Sequence, residues 1–230
     1  MRFRRLLVIP LALGGCAAAI AVATPADAAS CTVTPHVPSR LSITTGEKDY
    51  TATLSGCAGN VDWASVDLSR VGGPSYESYG LWFDGDGTPG GRTAHFTVYD
   101  TNRVGTYKTV SGNGATRDDF SSLAWHSAST SLRYGSWTGI STSRAGSRVT
   151  ITTAVSRYVE FEGREHYAGR LMTFQARHSV HDGWSTIGYA RTNSSGRAAI
   201  THTTSRVNYY RVVLTDTSTV WGSASGMSRR

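Results

Sequence analysis

The residues of this sequence that could do chemistry are few, and they are not spaced like a known catalytic or metal-binding set. His178, His181 and Asp182 offer two imidazoles and a carboxylate, but Gly183 follows them and the segment is typical of a hairpin loop with solvated side chains. The run Asp-Gly-Asp-Gly at 84–87 begins like a calcium loop, yet it lacks the later ligands and the Glu at position twelve, and a hairpin turn accounts for it equally well. The sequence therefore predicts no metal site and no cofactor.

Signatures of hydrolases are also missing. No Gly-x-Ser-x-Gly motif occurs, and the nearest pattern, at 135–139, has Trp137 where the nucleophile would stand. The carboxylate pairs Asp118–Asp119 and Glu160/Glu162 each lie within one short segment, whereas the two acids of a glycosidase flank a sugar ring. Because catalytic triads are recognised by geometry and not by sequence, a secreted hydrolase or protease inhibitor with an unrecognised site stays an alternative. The main expectation is a protein that is not an enzyme.

The first 28 residues are typical of a secretory signal peptide. Three arginines precede an apolar run at 6–13, an Ala-rich stretch follows, and Ala-Asp-Ala at 26–28 is a small-residue cleavage site. The sequence therefore predicts cleavage near Ala28 and a secreted, extracellular protein. An uncleaved membrane anchor and a lipoprotein lipidated on Cys16, at the end of Leu-Gly-Gly-Cys, remain alternatives. No apolar run long enough to span a bilayer follows residue 24, so no membrane span is expected in the mature chain.

Removal of the signal leaves two cysteines, Cys31 and Cys57. An even number of cysteines in an exported chain predicts a disulfide. Neither cysteine belongs to a Cys-x-x-Cys pair and no nearby histidine completes a zinc set, so reactive thiols or a metal site are the weaker interpretation.

The elements that must position these residues are predicted to be β-strands. Short runs rich in Val, Thr, Tyr, Trp and Phe alternate with clusters of Gly, Asn, Asp, Ser and Pro, including the turn signal Gly-Asn-Gly at 112–114. Seven strands are predicted in each half of the mature chain, at 40–45, 50–54, 62–69, 78–83, 93–100, 105–110 and 120–127, and then at 139–143, 148–154, 170–177, 185–192, 198–203, 209–215 and 220–224.

This pattern predicts an all-β protein with two tandem antiparallel β-sandwiches at 29–128 and 129–230, since about seven strands per hundred residues suit such a domain. A faint internal repeat supports two copies of one fold: 39–45 is similar to 147–153, and 104–110 is similar to 207–213. Chance similarity in a chain rich in Ser, Thr and Val remains the alternative.

The C-terminal hundred residues resemble an Ig-like β-sandwich module that is common in exported actinobacterial proteins, and the N-terminal half is similar to the Ig-like class more loosely. The matching segments are 132–136 (LRYGS), 141–144 (STSR), 149–151 (VTI), 184–186 (WST), 192–196 (TNSSG), 210–213 (YRVV) and 216–223 (DTSTVWGS). The resemblance implies a non-catalytic adaptor, spacer or binding module. A true immunoglobulin domain packs a Trp against a disulfide between strands B and F, whereas Cys31 and Cys57 are expected to bridge the first and second strands.

Charge is divided unevenly along the mature chain. The whole sequence carries a net charge of +7, but residues 29–128 hold seven basic and ten acidic groups, whereas residues 129–230 hold thirteen basic and five acidic groups. All thirteen basic residues of the second half are arginines. They are spread over several strands without a basic run or helix, so binding to nucleic acid is not expected. An acidic partner protein and a mere bias of composition are both compatible with this pattern.

Aromatic side chains are the best candidates for binding. If 78–83 pairs with 93–100, strand alternation places Trp63, Trp82 and Tyr99 on one outward face, with Tyr76 in a nearby loop. Exposed aromatic clusters mark sites that bind proteins or sugars, although the second domain could cover this one. Together with Arg177 and Arg191 as steering charges, these residues predict a protein that joins another secreted or surface protein. A module that binds cell-wall glycan is the alternative.

Overall fold

β-Strands make up almost all of the regular structure in residues 31–84 and 91–230, which the computed structural model describes. A short 3-10 turn at Ala58–Asn60 is the exception. The prediction of an all-β protein with two tandem sandwiches is confirmed. The predicted signal peptide, Cys16 and positions 85–87 of the Asp-Gly-Asp-Gly run lie outside the described residues.

Nine strands form the first sandwich: β1 Thr32–His36, β2 Arg40–Ile43, β3 Glu47–Gly56, β4 Val61–Arg70, β5 Ser78–Trp82, β6 Thr93–Tyr99, β7 Gly105–Thr116, β8 Ala124–Trp125 and β9 Ser129–Tyr134. One sheet has the order β6-β3-β1-β8 and the other has the order β2-β9-β7-β4-β5. All pairs are antiparallel except β1 with β8 and β2 with β9. Along the chain, β3 lies in the first sheet, β4 and β5 lie in the second, β6 returns to the first and β7 to the second. This alternation is the connectivity of an immunoglobulin-type sandwich.

The second sandwich repeats this order with β10 Ser136–Ala145, β11 Arg148–Val159, β12 Gly163–His166, β13 Leu171–Arg177, β14 Ser185–Arg191, β15 Arg197–Thr203, β16 Tyr209–Leu214, β17 Ser223–Ala224 and β18 Ser228–Arg229. Strands β10, β11 and β15 form one sheet, with β12 paired to the end of β11. The other sheet has the order β14-β13-β16, and β17 and β18 both pair with β16.

Only half of the internal repeat corresponds to equivalent strands. Segments 104–110 and 207–213 fall on β7 and β16, which occupy the same place in the two sandwiches, and Tyr107 and Tyr210 are both buried there. Segments 39–45 and 147–153 fall on β2 and β11, which are not equivalent, so their similarity arises by chance. The Tyr107 hydroxyl donates to the Arg103 carbonyl at 2.7 Å, which is the tyrosine corner found in Ig-like sandwiches.

Because of Pro35 and Pro38, the sequence predicts no central strand in segment 30–37, yet Thr32–His36 forms β1 in the middle of a sheet. The segment that contains Pro35 is paired with β3 along its length, and β8 pairs with its first two residues. The Thr32 carbonyl faces β3, where it accepts from Cys57 N at 3.2 Å, whereas the Val33 carbonyl faces away and accepts from His126 N at 2.9 Å. Alternation gives Pro35 the orientation of Val33, so its missing N–H falls on the outer side of the strand and breaks no bond to β3.

The glycine-rich segment at 112–114, which the sequence predicts as a turn, lies inside β7. A Cβ on Gly112 would stand 2.5 Å from the Trp125 ring, and a Cβ on Gly114 would stand 2.5 Å from the Leu123 side chain. These two glycines therefore make room for side chains that pack onto the core from the segment after β7. That segment forms only the short strand β8, where a longer strand at 120–127 is predicted.

The predicted disulfide between Cys31 and Cys57 is confirmed. It joins the residue before β1 to the residue after β3, so it ties two neighbouring strands of one sheet. The expectation that it bridges the first two predicted strands is therefore wrong, since β1 was not anticipated.

The two sandwiches meet without a linker. Strand β9, whose residues follow the predicted boundary at 128, pairs with β7 and β2 of the first sandwich, and Gly135 alone separates it from β10. A Cβ at Gly135 would stand 2.5 Å from the Thr44 methyl group, so only glycine fits at this junction. From the second sandwich, the buried Trp221 donates its indole N–H to the Leu41 carbonyl at 2.7 Å.

Candidate binding surfaces

Two exposed tryptophans lie together on the outer face of the first sandwich. Ser65 of β4 stands directly opposite Trp82 of β5, and Trp63 lies two residues before Ser65 on the same face. The two indoles therefore belong to diagonal neighbours, which stand about 7–8 Å apart at the backbone in antiparallel sheets. Trp82 is 57% exposed and Trp63 is 37% exposed, which is unusual for so large an apolar side chain.

The strand that carries Trp82 is also the edge of its sheet. Strand β5 pairs with β4 on one side, and no described strand pairs with its other side. Because Phe83 N donates to the Ala64 carbonyl at 3.0 Å, alternation turns the backbone N–H and C=O groups of Ser78, Gly80 and Trp82 toward the open side. We call Trp63, Trp82 and this open side of β5 the tryptophan edge.

The other two predicted aromatic residues do not join this group. Strand β6 pairs with β3 and not with β5, so Tyr99 lies on the outer face of the opposite sheet, where it is 49% exposed. Tyr76 lies in the turn between β4 and β5, at the end of β5 remote from Trp82, and is 82% exposed. The prediction of a single outward face that contains Trp63, Trp82 and Tyr99 is therefore wrong. The error comes from the strand pairing on which it was based.

Arg177 and Arg191 lie on the outer face of the second sandwich. Arg191 of β14 stands opposite Leu171 of β13, and Arg177 ends β13 on the same face, about 20 Å further along at 3.4 Å per residue. Arg191 is exposed and donates to the Gly169 carbonyl at 2.9 Å. Arg177 is half-buried, with its guanidinium carbon 4.4 Å from the centre of the Trp184 ring.

Sequence reasoning missed the side chains that surround Arg177. The Arg211 guanidinium also lies 4.4 Å from the Trp184 ring centre, and Arg177 and Arg229 lie 5.9 and 5.8 Å from the Tyr209 ring centre. We call the set of outward side chains Arg177, Trp184, Arg191, Tyr209, Arg211 and Arg229 the arginine face. The alternation of arginines and aromatic residues on two paired strands is the signal that could have revealed it.

The arginine face holds its guanidinium groups in fixed positions. Arg211 Nε donates to Gln175 Oε1 at 2.7 Å, and Arg177 Nη2 lies 2.8 Å from Met227 Sδ. Burial, and then the positive charge of Arg177, lower the pKa of Arg211. Two like charges are thus kept close together on one face.

Two of the carboxylates noted in the sequence accept hydrogen bonds within their own segments. Asp182 Oδ2 accepts from Ser179 N at 2.8 Å, and so closes its own loop. Hydrogen bonds from the Ser121 and Thr116 side chains and from Ser121 N lower the pKa of Asp119 to about 2. Within residues 31–84 and 91–230, no group of three or more His, Cys, Asp or Glu side chains is placed to hold a metal ion. The same residues include no helix long and apolar enough to cross a bilayer.

Comparisons with known proteins give weak structural likeness. No protein-family model and no curated protein sequence matches the chain. Among solved structures, the D0-D1 domain of intimin is 18% identical and aligns over 86% of this chain and 96% of that chain, with a TM-score of 0.28. The Yersinia pseudotuberculosis adhesin InvE is 14% identical over 86% of this chain and 56% of that chain, with a TM-score of 0.27. E. coli alpha-2-macroglobulin is 8% identical over 86% of this chain and 14% of that chain, with a TM-score of 0.38.

Proposed function

We propose that this chain is an exported, non-catalytic binding protein that joins another secreted or surface protein as a subunit of an extracellular complex. The signal-like N-terminal segment supports the exported location. The partner contact is the tryptophan edge, with the arginines of the second sandwich, including Arg177 and Arg191, steering an acidic partner toward it.

The observation that carries this proposal is a sheet edge that no described strand pairs with, beside two exposed tryptophans. Natural edge strands are commonly guarded by charged residues or proline, yet β5 has the sequence Ser-Tyr-Gly-Leu-Trp and contains neither. The Trp82 indole lies over Gly80 in the middle of this edge, since a Cβ on Gly80 would stand 3.5 Å from Trp82 Nε1. A strand added along β5 would form main-chain hydrogen bonds, and the indoles of Trp63 and Trp82 would supply the large buried contact that dominates binding energy.

The test uses two tryptophan variants and a matched aromatic control. Tagged wild-type protein, recovered from culture supernatant, should retain a protein in stoichiometric amount, and purified partner should then bind with measurable kinetics on a surface. Trp82→Ala should weaken binding by at least about 2 kcal/mol, the size of a hot-spot loss. Tyr99→Ala removes an aromatic residue of similar exposure from the opposite sheet and should leave affinity unchanged.

Two outcomes would contradict the proposal. Unchanged affinity in both Trp63→Ala and Trp82→Ala would place the contact elsewhere. Retention on insoluble wall polymer, reversed by free sugar and abolished by Trp82→Ala, would show that the same indoles stack on glycan instead.

A further inference from the structure

The charge of the arginine face has no counter-charge on its own sheet. Strands β13, β14, β16 and β18 contain no Asp or Glu. The ion pairs found within residues 31–84 and 91–230 involve Arg40, Arg70, Arg103 and Arg133, and none involves an arginine of this face. Four positive charges are therefore exposed or half-exposed there without a carboxylate partner in the described part of the chain.

Elsewhere in the molecule, one pair of arginines that lies over a tryptophan does have a carboxylate partner. At the junction of the sandwiches, Arg40 and Arg133 lie 4.0 and 4.1 Å from the centre of the Trp221 ring, much as Arg177 and Arg211 lie over Trp184. There, however, Asp216 forms ion pairs with both arginines at 3.5 and 3.7 Å. The two stacked arginines at the junction thus share one carboxylate, whereas those of the outer face, like Arg157, Arg164 and Arg170 over their own rings, have none within residues 31–84 and 91–230.

The stacked geometry prepares these arginines to bind carboxylates. A guanidinium that lies over an aromatic ring uses its flat face, which leaves N–H groups at its edge for a carboxylate. Arg177 Nε is buried and Arg211 Nε is bonded to Gln175, so the Nη groups are the donors that these two arginines offer. Because the rings and Gln175 already restrict the side chains, less rotamer freedom is lost on binding than for a free surface arginine.

We propose that the arginine face docks a carboxylate-rich surface of the partner protein, an inference that rests on the proposed function. Large apolar side chains lie beside the charges, since Leu171 and Tyr189 are exposed on β13 and β14 and Met227 is exposed next to Arg177. Arginine, methionine and aromatic residues are enriched in the cores of protein interfaces, whereas a flexible polyanion needs only the charge. The combination therefore favours an acidic protein over a phosphate- or sulfate-bearing polymer.

The first experiment maps contacts on the wild-type protein and needs no variant. Poly-L-glutamate, which presents carboxylates on a polypeptide, is titrated into isotope-labelled protein while the Nε–H signals of Arg177 and Arg211 and the indole N–H of Trp184 are followed by NMR. These signals should shift in a saturable way that weakens as salt is raised. Absence of any shift at these three groups would refute the inference.

The second experiment distinguishes the contribution of the planar guanidinium groups to binding from the contribution of positive charge alone. The double variant Arg177→Lys and Arg211→Lys keeps both charges but loses the planar groups, and should bind the probe about tenfold more weakly. Arg148→Lys, on β11 of the other sheet, makes the same exchange away from the arginine face and is the matched control, which should bind like wild type. Equal affinity of the lysine variant, or tighter binding of a sulfated polysaccharide than of poly-L-glutamate, would overturn the assignment.

These outcomes are distinguishable from failure of the proposed function. The probe has no aromatic or strand-forming element for the tryptophan edge, so Trp82→Ala should not alter its binding. If the arginine signals stay unchanged while Trp82→Ala still weakens the natural partner, only the present inference fails.

Discussion

Trp221→Ala should separate the unfolding of the two sandwiches, because this buried side chain of the second sandwich is bonded to the Leu41 carbonyl of the first. Truncation of a buried tryptophan costs about 3–5 kcal/mol, and Trp221 is only 8% exposed. The Leu41 carbonyl would lose its 2.7 Å hydrogen bond, and Arg40 and Arg133 would lose the ring over which they lie. Since these contributions are not additive, we expect the free energy of unfolding to fall by about 4 kcal/mol in total.

Calorimetry and urea denaturation check this expectation. The wild-type junction is continuous, so it should give one cooperative transition, whereas the variant should give two. Trp82→Ala is the matched control, since the same substitution at a half-exposed position should change stability by less than about 0.5 kcal/mol. A single transition with a loss below about 1 kcal/mol in Trp221→Ala would show that the other junction contacts, namely the backbone bonds of Tyr134 and Gly135 and the packing of Tyr158, hold the sandwiches together without the indole.

Three further predictions concern the first sandwich. Cys57→Ser removes the disulfide that closes a loop of 26 residues and should lower the free energy of unfolding of the first sandwich by about 3.5 kcal/mol in chemical denaturation. Thiol titration of the wild-type mature chain, denatured but not reduced, should find no free thiol. Gly112→Ala should displace the Trp125 ring, lowering stability by about 1–3 kcal/mol and changing tryptophan fluorescence, whereas Gly46→Ala, with open space around it, should be neutral. Ionised Asp119 stabilises the fold at pH values above its ordinary pKa of 3.8, and this contribution should be lost as the pH falls toward its folded pKa of about 2. A carboxyl NMR titration of the folded protein should report that lower value as the midpoint for Asp119.

Local sequence was sufficient to predict most strands but not their partners. Alternation of apolar and polar residues located β4, β5 and β6 within a residue or two, because one face of each strand is buried in the core. Pairing depends on which strands meet in space. The apolar patterns of β5 and β6 are compatible with pairing in one sheet and equally compatible with positions in opposite sheets. The assumed β5–β6 hairpin consequently placed Tyr99 on the wrong face.

Gly and Pro misled the prediction where tertiary contacts decide their role. Pro35 is compatible with a paired strand because its nitrogen faces the outer side, which no sequence pattern reveals. Gly112 and Gly114 resemble a turn, but they lie within β7 because Trp125 and Leu123 require space above them. In both cases the role of the residue depends on a contact with a part of the chain that is distant in sequence, namely β3 for Pro35 and the segment after β7 for the two glycines.

The absence of lysine from the second half of the chain has a structural explanation that composition alone did not provide. Of its thirteen arginines, seven lie with the guanidinium over an aromatic ring, at Trp137, Tyr167, Trp184, Tyr209 or Trp221. Lysine would keep the charge but not the planar contact, because its ammonium is a strongly hydrated point charge. Arginine is therefore suited to these positions by packing, and its charge, which Asp216 pairs at Arg133, is a secondary consequence.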